Sequence, residues 1–227
     1  MLSQKAFVYA LAGGVFITAS AVAGPEWVEQ GDAGSLVPTA QKTYGSGSLL
    51  SISGSLSSHL SLGSVDYEDM YLITVLNPTI FSMKILDADF DAQLFIFNIT
   101  LPGEGFGLLA NNDTVDGNAP EVGNHATDGT GSQLLLPGKY AIAISGLGRI
   151  PISLSGPIFF FGNSTEVSGA DGPGGIHPII DWSGEGQVGS YTILLIGSGP
   201  SDVPAPGALA LLALAASLAR RRRRRSS

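Results

Sequence analysis

Cysteine is absent from this 227-residue chain. That absence excludes a disulfide scaffold, a thiolate metal site, a cysteine nucleophile and a lipid-modified N-terminal cysteine. Charge is scarce too: 13% of residues are charged and 44% are hydrophobic, which excludes disorder along the whole length. No sustained helical spacing occurs between residues 24 and 202, so helix bundles drop out of the fold classes. Histidine is limited to His59, His125 and His177. None of them forms a pair at zinc-helix spacing, and no Gly-x-Ser-x-Gly elbow presents a catalytic serine. The chain reads as non-enzymatic.

What is present is unevenly distributed. The formal charge is −8, but six of the 11 Lys and Arg residues form Arg220–Arg225 and Lys5 lies near the N-terminus. The body from Glu26 to Asp202 therefore holds four basic residues against all 19 acidic ones, about −15. Such a body repels nucleic acid and anionic lipid and favours cations or solubility outside the cell. The 31 glycines, with abundant Ser, Thr and Asn, imply many turns and short strands.

Both ends carry export features. Lys5, the apolar run Ala6–Ile17 and the small residues Ala21 and Ala23 make a signal peptide over residues 1–23, cleaved before Gly24 by signal peptidase. At the other end Val203, Pro204, Ala205, Pro206 and Gly207 close a linker over 198–207. An apolar helix over 208–219 follows, about 18 Å long at ~1.5 Å per residue. The tail, 220–227, holds Arg220, Arg221, Arg222, Arg223, Arg224 and Arg225, kept on the cytoplasmic side by the positive-inside rule. Next to an apolar helix in an exported chain, this basic run reads as a topology anchor and not as a nucleic-acid site. The three-part order resembles the PEP-CTERM sorting signal, with Ala205 where the namesake triplet has Glu. The resemblance implies an exosortase-type processing enzyme, a transient membrane anchor and a final place at the cell surface or in the extracellular matrix.

The body reads as strands. Residues 45–56 form a weak Gly/Ser-rich strand with Leu49, Leu50 and Ile52. Met70–Leu76 is apolar on both faces, as a fully buried strand requires. Phe81, Met83 and Ile85 alternate with Ser82 and Lys84. Gln93–Ile99 is aromatic and β-branched. Leu134–Leu136 runs into a turn at Pro137-Gly138, after which Tyr140, Ile142 and Ile144 share one face while Ala141 and Ala143 leave room on the other. Tyr191–Ile196 is the last strand. The set predicts an all-β fold, an antiparallel β-sandwich.

Several motifs recur in a familiar order: Asp66-x-Glu68-Asp69-Met70-Tyr71, Asp89-Phe90-Asp91-Ala92-Gln93-Leu94, Leu109-Ala110-Asn111-Asn112-Asp113, Leu136-Pro137-Gly138-Lys139-Tyr140, and Gly189-Ser190-Tyr191-Thr192-Ile193. Together they resemble the bacterial pre-peptidase C-terminal (PPC) domain, which implies a jelly-roll-like sandwich over 45–197. The preceding extension, 24–44, carries Trp27, Glu29, Gly31 and Asp32 in a pattern similar to PPC domains of PEP-CTERM surface proteins.

A long loop insertion over 147–188 departs from that pattern and holds Phe159, Phe160, Phe161 and Trp182. Exposed, these aromatics would contact an exopolysaccharide or a protein partner; folded back, they would cap the sandwich. Asp87, Asp89 and Asp91 fall on one side of an extended chain, and Asn111–Asp113 makes a second oxygen-rich turn. Oxygen ligands of this kind suit Ca²⁺, with Asp89, Asp91, Asn112 and Asp113 as the candidate set. The PPC resemblance points the same way, through the Ca²⁺ sites of related collagen-binding domains. Two functions stay open: a passive surface or matrix protein, or a binding module for polysaccharide or a secreted protein.

Overall fold

The computed structural model describes residues 26–57 and 65–202. The leader with Ala21, Ala23 and Gly24, His59, the segment from Val203 to Gly207, the apolar run after it and Arg220–Arg225 lie outside the described residues. The strands in chain order are β1 Glu26–Val28, β2 Gln41–Lys42, β3 Ser51–Leu56, β4 Glu68–Val75, β5 Ser82–Ala88, β6 Ala92–Leu101, β7 Glu104–Asn111, β8 Glu121–Val122, β9 Gly138–Gly146, β10 Ile150–Ser153, β11 Gly156–Pro157, β12 Ser168–Gly169, β13 Asp181–Ser183, β14 Gly189–Ile196 and β15 Ser198–Pro200. Among the described residues the only helix is a 3-10 turn at Pro78–Ile80, capped by Asn77 Oδ1 accepting from the Thr79 amide.

The fold is all-β and sandwich-like. One sheet has five strands in the order β1-β3-β14-β5-β8; the other has seven, β12-β7-β6-β9-β4-β15 with β2 also on β4. Alternation explains how they meet. In the seven-stranded sheet Leu94 pairs with Ile144 and Ile96 with Ile142, and all four turn inward. From the other sheet Ile52, Met83, Ile193 and Leu195 pack into the same core, each fully buried. Burial of this kind contributes about 1.5–3 kcal/mol per large aliphatic side chain.

The second face of the large sheet is equally dry. Phe95 and Phe97 point outward beside Ala143 and Ala141, their register partners on β9. The space above the alanines is filled by the insertion, whose Ile158, Phe159, Ile179 and Trp182 are buried there with Val37 and Ala40. The 147–188 segment thus covers a sheet face, and the short strands β10, β11 and β13 form a small sheet of their own within it. Gly107 permits the close contact, since a Cβ there would lie 2.3 Å from Ile158 Cγ2.

Two expectations need amendment. The segment before Gly45 is part of the body: β1 pairs in parallel with β3, β2 pairs in parallel with β4, and Ala33 and Thr43 are fully buried. The sandwich is therefore not purely antiparallel, because this arm runs from one sheet to the other. Leu134–Leu136 forms no strand; Leu134 is buried, while Leu135 and Leu136 are exposed. Strand β7 is full length although Gly105 and Gly107 weaken its β-propensity.

Candidate cation-binding sites

Where the chain enters β4, the arm that follows β1 crosses it. The Met70 amide donates to the Gly34 carbonyl oxygen at 2.8 Å, and Gly34 receives in turn the Asp32 side chain, its amide donating to Asp32 Oδ1 at 2.6 Å. This crossing gathers acids. One carboxylate oxygen from each of Asp32, Asp66 and Asp69 lies within 4.8 Å of the others. Glu29 stands beside them, its Oε2 accepting from the Ser55 amide at 2.9 Å. Gly54 makes that approach possible: a Cβ there would sit 2.5 Å from the Tyr191 hydroxyl and 2.7 Å from Glu29 Oε2.

Asp69 is the buried member, with no exposed surface. Its Oδ2 accepts from the Tyr191 hydroxyl at 2.6 Å, and the Tyr191 hydroxyl oxygen lies 2.6 Å from the Tyr71 hydroxyl. Because Tyr191 gives its proton to Asp69, Tyr71 donates to Tyr191. Asp69 Oδ1 has no donor among the protein's groups. A buried acceptor left in that state costs about 1–3 kcal/mol, and more when charged. Burial, together with the charges of Asp66, Glu29 and Asp32, pushes the Asp69 carboxyl up to about 8 against the opposing Tyr191 hydrogen bond. Burial and the charges of Asp32, Glu29 and Glu68 push Asp66 up to about 7. Three converging carboxylates with an unpaired oxygen suit a hard divalent cation, which would replace the shared protons.

The four residues expected from the sequence divide. Asp89 stays with the five-stranded sheet, where its Oδ2 accepts from Ser190 Oγ and its amide donates to the Ser190 carbonyl oxygen at 3.1 Å. Asp91, Asn112 and Asp113 gather at the rim of the seven-stranded sheet, with Asn112 Nδ2 donating to Asp113 Oδ2 at 3.3 Å. The chain passes between sheets from Ala88 to Ala92, so alternation does not hold across that bend. Gln93, read from the sequence only as a strand residue, is buried beside that rim, and Asp32, Asp66 and Asp69 stood only as motif positions. The spacing of Asp66 and Asp69 before an apolar strand was the available signal.

Of the four insertion aromatics, Phe159 and Trp182 are buried, Phe161 is half-buried and Phe160 is 63% exposed, so they form no continuous platform. The Trp182 indole Nε1 donates to the Ser35 carbonyl oxygen at 2.7 Å. Arg149 holds the start of the insertion, with Nε 2.8 Å and Nη2 3.2 Å from the two oxygens of buried Glu68 and Nη1 2.7 Å from the Gly184 carbonyl oxygen. His125 lines a cleft of about 200 Å³ with Pro78, Asn124, Gln133 and Leu135, while His177 is half-buried in the insertion. Among the described residues no helix is long and apolar enough to cross a membrane. No protein-family model matches the chain, and no curated protein matches it.

Proposed function

We propose that this chain is an exported, non-enzymatic protein of the cell surface or extracellular matrix, whose body binds a divalent cation at Asp32, Asp66 and Asp69. The observation that carries the cation reading is the buried, donorless Oδ1 of Asp69 inside that carboxylate trio. Bound there, Ca²⁺ clips the N-terminal arm onto β4 and, through Asp69, the Tyr191–Tyr71 hydrogen-bond chain that crosses the core. Ca²⁺ fits better than Mg²⁺ because irregular carboxylate sets satisfy its six to eight flexible contacts. The export features of the sequence, the jelly-roll-like PPC resemblance and the acidic body support an extracellular setting, where Ca²⁺ is plentiful. Signal peptidase and an exosortase-type enzyme are the processing partners on this reading. The burial of Phe159 and Trp182 favours a passive structural role over a polysaccharide-binding one.

Millimolar CaCl₂ should raise the melting temperature of the full chain, since a ligand bound only by the folded state stabilises it by mass action. The double change Asp66→Asn and Asp69→Asn should reduce that rise. A melting curve no more responsive to CaCl₂ than to NaCl of equal ionic strength would remove the cation reading. For the sorting reading, intact mass of the protein taken from its native envelope should lack residues 1–23 and Arg220–Arg225.

A further inference from the structure

We propose that Asp91, Gln93, Asn112 and Asp113 form a second Ca²⁺ site, one that fastens the 147–188 cover to the rim of the seven-stranded sheet. The site shares no residue with the Asp32–Asp66–Asp69 trio and does not rest on it.

Four side-chain oxygens carry the proposal: Asp91 Oδ1, Gln93 Oε1, Asn112 Oδ1 and Asp113 Oδ1 are each buried and without a donor among the protein's groups. The sheet register brings them together. Leu94 pairs with Asn111, so the next position along places Gln93 opposite Asn112. Both lie on the outer face, because Leu94 and its neighbour Ile96 turn inward while Phe95 turns outward. Asp91 lies two residues before Gln93, where the chain enters β6. Asp113 is tied to Asn112, whose side-chain amide donates a hydrogen bond to its Oδ2, and its charge acts on Asp91, whose carboxyl is raised first by burial and then by that neighbour. Gln93 is 3% exposed, a depth at which an amide oxygen requires a partner.

Four donorless oxygens repel one another unless a positive group sits among them. One shared proton answers for a single pair of oxygens; a cation answers for all of them. The unpartnered atoms of these two carboxylates and two amides, at the ends of adjacent strands, are all oxygens, which selects a hard ion. Their irregular arrangement suits Ca²⁺ better than the strict octahedron of Mg²⁺.

The surroundings give the site a task. The Asp91 amide donates to Gln187 Oε1 at 3.1 Å, and the Leu147 amide donates to the Asp91 carbonyl oxygen at 2.7 Å. The Asp113 amide donates to the Ser164 carbonyl oxygen at 2.8 Å. Both ends of the insertion and its middle thus hang on the residues that would hold the ion. Fixing these backbones by Ca²⁺ locks the cover over Phe95 and Phe97.

Calorimetric titration of the full chain with CaCl₂ tests this, read against two sets of variants. Wild type should bind a second ion that survives in the Asp66→Asn, Asp69→Asn variant. Gln93→Met keeps the side-chain volume and removes the oxygen; it should weaken that second ion by about tenfold or more, as should Asp91→Asn. Protection of the 147–188 segment from proteolysis should rise with Ca²⁺ in wild type and not in Gln93→Met. If wild type binds one ion and the Asp66→Asn, Asp69→Asn variant binds none, the second site is overturned and the first stands. If wild type binds one ion and that variant still binds one, the first site fails and this one stands. Unchanged Ca²⁺ binding and cover protection in Gln93→Met would show that the amides are turned to donate to the carboxylates, which also overturns it.

Discussion

The two faces of the seven-stranded sheet are equally buried but differently made. The inner face meets regular strands, and its Ile142, Ile144, Leu94 and Ile96 interlock with alternating residues of the opposing sheet. The outer face meets an irregular cover, and its own residues are either large aromatics, Phe95 and Phe97, or small ones, Ala141, Ala143 and Gly107. Small residues make room for a segment that cannot present a flat surface. What the cover lacks in regular pairing it gains from polar pins: Arg149 on Glu68, Trp182 on Ser35, and the acidic rim around Asp91. A dry sheet face can thus be closed by a loop, provided that specific bonds hold the loop in place.

The largest expected effect breaks the outer face. Phe95 has its ring 5.7 Å from Phe159 and 5.3 Å from Trp182, centroid to centroid. Phe95→Ala should cost about 3–5 kcal/mol in urea unfolding. A loss as small as that of a surface change would mean that the cover contributes nothing to stability. Removing a pin comes next. Arg149→Ala leaves the buried Glu68 carboxylate without its cation, and the cost should be about 3 kcal/mol at neutral pH. Proteolysis within the 147–188 segment should accelerate in the same variant. The smallest effect sharpens the comparison: Trp182→Phe keeps a ring against Phe95 but loses the bond to the Ser35 carbonyl oxygen, worth about 1 kcal/mol. A neutral result there would assign the cover's attachment to packing alone.

The inner face was legible in the sequence because its signal is local. Alternation in Phe81–Ile85 and Tyr140–Ile144 sets which side chains turn inward, and the structure follows it. The outer face was half legible: Ala141 and Ala143 signalled space, but nothing nearby named the occupant, which arrives from residues up to Trp182. Strand β7 hid behind its glycines, whose role appears only when Val37 and Ile158 stand above them. The acidic sites divide in the same way. Asp91, Asn112 and Asp113 stood out by their residue types. Gln93 was overlooked because only its register opposite Asn112 reveals it, and Asp32 meets Asp69 only because the arm crosses β4.

The clip at Asp32, Asp66 and Asp69 makes one demand on pH that a plain acidic patch does not. In the cation-free chain the folded state keeps protons on Asp69 up to about pH 8 and on Asp66 up to about 7, while the unfolded chain releases them near pH 4. Between those limits the folded state binds more protons, so stability is greatest at the acid end and falls as pH rises toward 8. On the proposed reading, Ca²⁺ would hold the ionised carboxylates and take the protons' place. The decisive measurement is the melting temperature of the full chain from pH 5 to 8, in chelator and in CaCl₂. The clip predicts a melting temperature that falls across this range in chelator and is restored at pH 8 by CaCl₂, with the restoration reduced in Asp69→Asn. A profile that is the same in chelator and CaCl₂, or one that Asp69→Asn leaves unchanged, would contradict it.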